Sequence, residues 1–149
     1  MSHVQSRIQA PLDDVWEALI DVRTYPTWLI GARKIRRVEE GWPAPGTAFH
    51  HEVGIGGPVK IADRTRCLEI VPRQRLVLDV RALPVLHGQV TFELHEDGSE
   101  TVVDMEEHPI GVYRVLAPVL APLTKARNAA SLEALEDRVR ERAGIDDGA

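Results

Sequence analysis

The sequence predicts an α+β fold: a curved antiparallel sheet of seven strands, a long C-terminal helix lying across it, and two short helices after the first strand. Three observations carry this reading. Apolar and polar residues alternate with period two through most of residues 33–108, turn signals cut that run at short intervals, and a helical stripe takes over near the end. A length of 149 residues suits one domain, so 1–149 is read as a single unit with 145–149 as a loose tail.

Residues 6–9 open with a short alternation, and Pro11 and Leu12 lead into the first helix. Asp13 and Asp14 fall in its first turn, where the helix dipole favours carboxylates, and Val15, Trp16, Leu19 and Ile20 repeat at helical spacing. Tyr25, Pro26 and Trp28 suggest a second short helix over 21–28, stopped at Gly31. From there the period changes to two. Strands are expected over 35–39 and 47–53, around the turn Gly41-Trp42-Pro43-Ala44-Pro45-Gly46, and the glycine-rich stretch 54–58 follows. Strands 59–71 and 75–83 are joined at Pro72, and Pro84 breaks the pattern. Strand 86–95 leads through the Asp97-Gly98 turn to strand 101–108. Six consecutive strands argue for a meander.

Pro118 and Pro122 fit a bent lead-in and the first turn of the last helix, since proline is tolerated there and not in the interior. Asn128, Leu132, Leu135 and Val139 form its stripe, Glu136 and Arg140 an i,i+4 pair, and Gly144 its stop. The helix should span about 22 residues, or roughly 33 Å, enough to cross a curved sheet.

Composition mainly excludes. With 44% hydrophobic and 28% charged residues the chain is of ordinary globular type, and 18 Lys and Arg against 23 Asp and Glu give a net charge of -5. That balance predicts no nucleic-acid partner. The cluster Arg33, Lys34, Arg36, Arg37 reads as charge on a solvated edge strand. The most apolar stretch, 112–123, is interrupted by Arg114, Pro118 and Pro122 and is too short to span a bilayer, so no membrane insertion is expected. Residues 1–11 lack the character of a secretory signal. Cys67 is the only cysteine, which suits a reducing compartment and a cytoplasmic protein. No metal or other cofactor is expected: His3, His50, His51, His87, His95 and His108 form no HExxH motif, and residues 54–58 lack the Lys and Ser/Thr of a phosphate loop.

The element order, with Ile8, Ala10, Pro11 and Val15-Trp16 at the start, resembles the START-like or Bet v 1-like (SRPBCC) superfamily. More specific segments resemble its polyketide cyclase/dehydrase-type branch. These are Tyr25-Pro26-Thr27-Trp28-Leu29-Ile30-Gly31-Ala32, the 41–46 turn, His50-His51 with Val53-Gly54, Met105-Glu106-Glu107, and Arg127-Asn128. The resemblance covers nearly the whole chain. It implies a helix-grip fold, in which the bent sheet wraps the long helix around an apolar cavity, with the 54–58 hairpin tip as a gate.

On that fold, alternation assigns one face of each strand to the cavity. The lining expected is Phe49, His51, Asp63, Thr65, Cys67, Leu78, Val80, Phe92, Met105 and Glu107 from the strands, Asn128 and Leu132 from the helix, and Trp28 and Ile30 at the mouth. With only seven aromatic residues in the chain, such a wall is mostly aliphatic and leaves room for a ligand.

Buried polar groups in that wall need explaining, and two accounts are open. In one, His51, Asp63 and Glu107 are catalytic acid–base candidates or orient a ligand's oxygens. In the other, Asp63 pairs with an arginine, Glu107 reaches solvent, His51 bonds a backbone carbonyl and Asn128 bonds a strand. Cys67 is read as a packing residue. Three functions follow: a binder of a small hydrophobic molecule, aromatic, polyketide-like or lipid-like; a polyketide aromatase/cyclase or dehydratase; or a stress or interaction module whose interior is filled by its own side chains. A homodimer is compatible with each.

Overall fold

The computed structural model describes residues 2–22, 32–56, 59–82 and 86–143. Its strands are β1 (Ser2–Ile8), β2 (Ala32–Val38), β3 (Ala48–Gly56), β4 (Val59–Val71), β5 (Arg75–Ala82), β6 (Leu86–Asp97) and β7 (Glu100–Pro109). Helix α1 (Leu12–Ile20) follows β1, and helix α2 (Ala117–Ala143) follows a single 3-10 turn at Gly111–Arg114. The strands form one antiparallel sheet in the order β1-β7-β6-β5-β4-β3-β2. β2 to β7 form the expected meander, and β1 returns to pair with β7. The basic segment lies on β2, at one edge of the sheet.

β1 begins four residues before the expected alternation. Val4 and Ile8 are buried while Ser6 is half-buried between them, so a polar residue on the inner face hides the period in the sequence. The β6–β7 hairpin closes where Gly98 takes a φ of +65°, a conformation that favours a residue without a Cβ. Irregular pairing within β2–β3 and beside Cys67–Glu69 marks where the sheet bends. Of the two short helices expected, α1 forms; the second, expected over 21–28, lies outside the described residues from residue 23 onward.

α2 has 27 residues rather than about 22, because it starts at Ala117 and takes Pro122 into its interior. Proline at that point removes one hydrogen bond, to the Pro118 carbonyl. Pro118 and Pro122 are both exposed, so water can serve that carbonyl and the helix continues.

The core lies between the sheet's concave face and the two helices. Leu132, Leu135 and Val139 of α2 pack with Val15, Trp16 and Leu19 of α1 and with Phe49, Leu76, Leu78, Phe92, Val103 and Met105 of the strands. α2 lies closest to β1, β7 and α1. Trp42 ties the 41–46 turn to this core: its Nε1 donates to the Ile20 carbonyl at 3.1 Å, and its ring meets Phe49 edge-on with centroids 4.9 Å apart. The outer face is polar, as shown by Asp79, which accepts from Arg64 and lies 2.7 Å from His87 Nε2.

Candidate functional site

Among the described residues, two groups of buried polar side chains on the core face include an ionisable residue, His51 in one and Glu107 in the other, and they lie on strands that are not neighbours. The first is on β3 and β4. His51 stands opposite Asp63 and Phe49 opposite Thr65, so His51 and Thr65 are diagonal neighbours on one face. His51 Nε2 and Thr65 Oγ1 are hydrogen-bonded at 3.0 Å. Both residues are buried, 4% and 2% exposed, and the imidazole lies against Phe49 at 5.6 Å between centroids. His51 Nδ1 is buried with no hydrogen-bond partner among the described residues.

Burial pushes the His51 pKa below the usual histidine range, opposed first by a hydrogen bond toward the Arg64 backbone and then by the Asp63 carboxylate. The ring is therefore neutral near pH 7. Neighbouring His50 points the other way, 3.2 Å from Glu39 and 3.0 Å from an Arg37 nitrogen. Two adjacent histidines thus carry different roles on opposite faces.

Asp63 belongs to this end of the sheet but is tied to the protein. Its carboxylate accepts from Arg81 Nε at 2.6 Å and from the Arg64 backbone N–H at 2.9 Å. The arginine pairing is one of the two arrangements open from the sequence.

The second group joins β7 to α2. Glu107 is 4% exposed, and its Oε1 accepts from Arg127 Nη2 at 2.5 Å and from Asn128 Nδ2 at 3.2 Å. Glu107 therefore does not reach solvent, and Asn128 bonds a side chain rather than a strand backbone. The reason is one of placement: Asn128 lies on the buried stripe of α2 and Arg127 beside it, so both donors meet the carboxylate as α2 passes β7. Arg127 was legible only as part of a family-like dipeptide. The signal available was a cation next to a buried amide, opposite a carboxylate on the last strand.

β3 and β7 are four strand spacings apart, about 19 Å along the sheet. His51 and Glu107 are hydrogen-bonded to different residues. The remaining expected lining does not divide in this way. Phe49, Cys67, Leu78, Phe92, Met105 and Leu132 are 0–3% exposed and form one packed cluster, with Val80 half-buried against it. Cys67 pairs with Leu78 across β4–β5, and burial pushes its thiol pKa up, as expected of a packing residue. Trp28 and Ile30 lie outside the described residues. No group of His, Cys, Asp or Glu able to hold a metal is found among the described residues.

Comparison with solved structures gives the same fold. A di-domain aromatase/cyclase, StfQ, of the steffimycin biosynthetic pathway matches with a TM-score of 0.72 at 14% identity, over 96% of this chain and 52% of that one. The Zhui aromatase/cyclase from Streptomyces sp. R1128 matches with a TM-score of 0.68 at 17% identity, over 95% of this chain and 93% of that one. Protein NE0264 from Nitrosomonas europaea matches with a TM-score of 0.71 at 16% identity, over 95% and 94% of the two chains. At these identities the likeness speaks for fold alone. No curated protein matches the sequence. The family model for polyketide cyclase / dehydrase and lipid transport matches residues 2–140, and the chain belongs to that family.

Proposed function

We propose that the protein binds a small hydrophobic molecule, aromatic, polyketide-like or lipid-like, between the concave face of the sheet and α2, with His51 addressing an oxygen of the ligand. The observation that carries this is the buried His51 Nδ1 atom, which makes no well-aligned hydrogen bond and lies beside the Phe49 ring on the core face. Leaving such a group unsatisfied costs about 1–3 kcal/mol, and a ligand oxygen would recover it. Nε2 is held by Thr65, so the ring is already oriented for the contact. The surrounding wall is closely packed, so entry of a ligand spreads Phe49 and its neighbours. Family membership and the two aromatase/cyclase neighbours support the ligand class.

A second reading, an aromatase/cyclase or dehydratase, is favoured by the neutral state of the same ring. A neutral imidazole can remove a proton next to a carbonyl, and the pocket would hold the chain in a near-attack conformer. Glu107, whose Oε1 already accepts from Arg127 and Asn128, serves to join β7 and α2.

A thermal-shift panel of apolar ring-bearing compounds and fatty acids tests the first reading. A binder present at about a hundredfold its Kd adds roughly 2.7 kcal/mol and raises Tm by several degrees. If no compound does so, and native mass spectrometry of protein from its own host finds nothing bound, the interior is self-filled and the proposal fails. His51→Ala then separates binder from enzyme in a reconstituted polyketide assay. A binder loses a modest part of its affinity, whereas a cyclase loses turnover and changes its product distribution.

A further inference from the structure

We propose that Thr65 is a positioning residue that fixes His51 in its Nδ1–H tautomer, so that the interior site takes an apolar ligand through a carbonyl oxygen in preference to a hydroxyl; the ligand class rests on the binding reading above. The donor and acceptor inventory of the pair assigns the tautomer. Thr65 is 2% exposed, and its Oγ1 lies 3.0 Å from His51 Nε2 with no other hydrogen-bond partner among the described residues. If Nε2 carried the ring proton, it would donate to Oγ1, and two buried groups would stay unmatched: the Thr65 O–H, without an acceptor, and the bare Nδ1. With the proton on Nδ1, the Thr65 O–H donates to Nε2 and only the Nδ1–H is left over. A buried donor or acceptor without a partner is costly, so the arrangement with one such group prevails over the arrangement with two.

The surroundings do not complete the remaining N–H. Asp63, opposite His51 across β3–β4, accepts from Arg81 Nε and from the Arg64 backbone N–H. The Arg64 backbone favours a protonated ring nitrogen but forms no well-aligned bond with Nδ1. The Phe49 ring lies against the imidazole at 5.6 Å between centroids. Register holds the pair in place, since Phe49 opposite Thr65 and His51 opposite Asp63 set the threonine diagonal to the ring. Thr65 is β-branched and stiff at χ1, so its hydroxyl is held where it meets Nε2.

A buried N–H seeks an acceptor, and this selects the ligand. A ketone, aldehyde or ester carbonyl offers lone pairs and brings no hydrogen of its own. A hydroxyl can also accept from Nδ1–H, but its own hydrogen then needs a further acceptor inside the apolar wall. A nitrogen that already carries hydrogen cannot take a proton from carbon. In the enzyme reading Nδ1 therefore polarises the carbonyl by hydrogen bonding and does not act as the base.

Two measurements on the full chain test the assignment. Long-range ¹H–¹⁵N correlation spectra of protein labelled at histidine, recorded above pH 7 where the His51 ring is neutral, show which of its nitrogens carries the proton, and His51→Gln identifies its signals. The free wild type should show Nδ1–H. Thr65→Ser keeps the hydroxyl and should keep that pattern, whereas Thr65→Val keeps the shape and should give a mixture of both tautomers. The second measurement is calorimetric titration with fluorenone, fluorenol and fluorene, which share a ring skeleton and differ in their oxygen. Fluorenone should bind at least about fivefold more tightly than either relative, and Thr65→Val should narrow that ratio while Thr65→Ser keeps it. An Nε2–H ring in the wild type, an Nδ1–H pattern unchanged in Thr65→Val, or equal binding of the ketone and the alcohol overturns the proposal. If no compound of the thermal-shift panel binds, these three included, the binding reading falls and the ligand class with it, while the spectrum of the free protein still decides the tautomer.

Discussion

Arg127→Ala should destabilise the protein well beyond the loss of a surface ion pair. Its partner Glu107 has a side chain 5% exposed, whereas the Arg127 side chain is 33% exposed. Removing one member of a fully buried pair costs about 3–5 kcal/mol, because the other charge is left without compensation. With Arg127 one-third in solvent, some of that is relieved by water, and about 2 kcal/mol is expected. For a chain of this size that corresponds to a Tm lowered by roughly 4–8 °C. Glu107→Gln should cost about 1 kcal/mol, since an amide oxygen still accepts from Asn128 and Arg127. The decisive comparison is the double variant. Once Arg127 is gone, Glu107→Gln removes the stranded charge, so the double variant should be at least as stable as Arg127→Ala alone. Urea unfolding followed by tryptophan fluorescence, with unchanged m, gives the three values. A cost below about 0.5 kcal/mol for Arg127→Ala, or strictly additive losses, would place the pair with ordinary exposed salt bridges and refute the reasoning.

Other predictions follow from the same packing. His51 has a folded-state pKa below its unfolded value of 6.5, so below that pH the unfolded chain takes up a proton that the folded chain refuses. Stability should be full above pH 7 and fall as pH drops through the window beneath 6.5, by at most about 1.4 kcal/mol per pH unit from this residue. The difference between wild type and His51→Leu across that window isolates the contribution, and a difference independent of pH would contradict it. Phe92→Ala, at a site 1% exposed, should cost about 3–5 kcal/mol in the same urea assay. Trp42→Phe keeps a ring against Phe49 but removes the donor to the Ile20 carbonyl, and a loss of about 1 kcal/mol is expected. Cys67, fully buried with its thiol pKa raised, should react with a thiol reagent only as fast as the structure opens, and mild urea should accelerate it sharply.

Local features were legible from the sequence wherever one period dominates. The meander, the Asp97-Gly98 hairpin, the first turn of α1 and the buried stripe of α2 follow from alternation, turn chemistry and helical spacing, and the inward placement of Phe49, His51, Thr65 and Cys67 follows from parity. Non-local partners were not legible. Whether Glu107 met solvent or a helix depended on where α2 crosses β7, and that His51 meets the Thr65 hydroxyl depended on the β3–β4 register. The distance between His51 and Glu107 is likewise set by strand order. β1 was shortened because Ser6 sits on its inner face, and α2 because a proline rule for helix interiors was applied where solvent replaces the missing bond.

The two polar groups divide the labour of the wall. Glu107, Arg127 and Asn128 fasten α2 to the last strand. The His51–Thr65 pair, at the other side of the sheet, keeps an atom in reserve.

A crystal structure of the protein with whichever panel compound raises Tm most tests the proposed function most directly. It should place the compound between the concave face and α2, with an oxygen within hydrogen-bond distance of His51 Nδ1 and the Phe49 ring displaced. A compound bound elsewhere, with Phe49 unmoved and Nδ1 still alone, would contradict it.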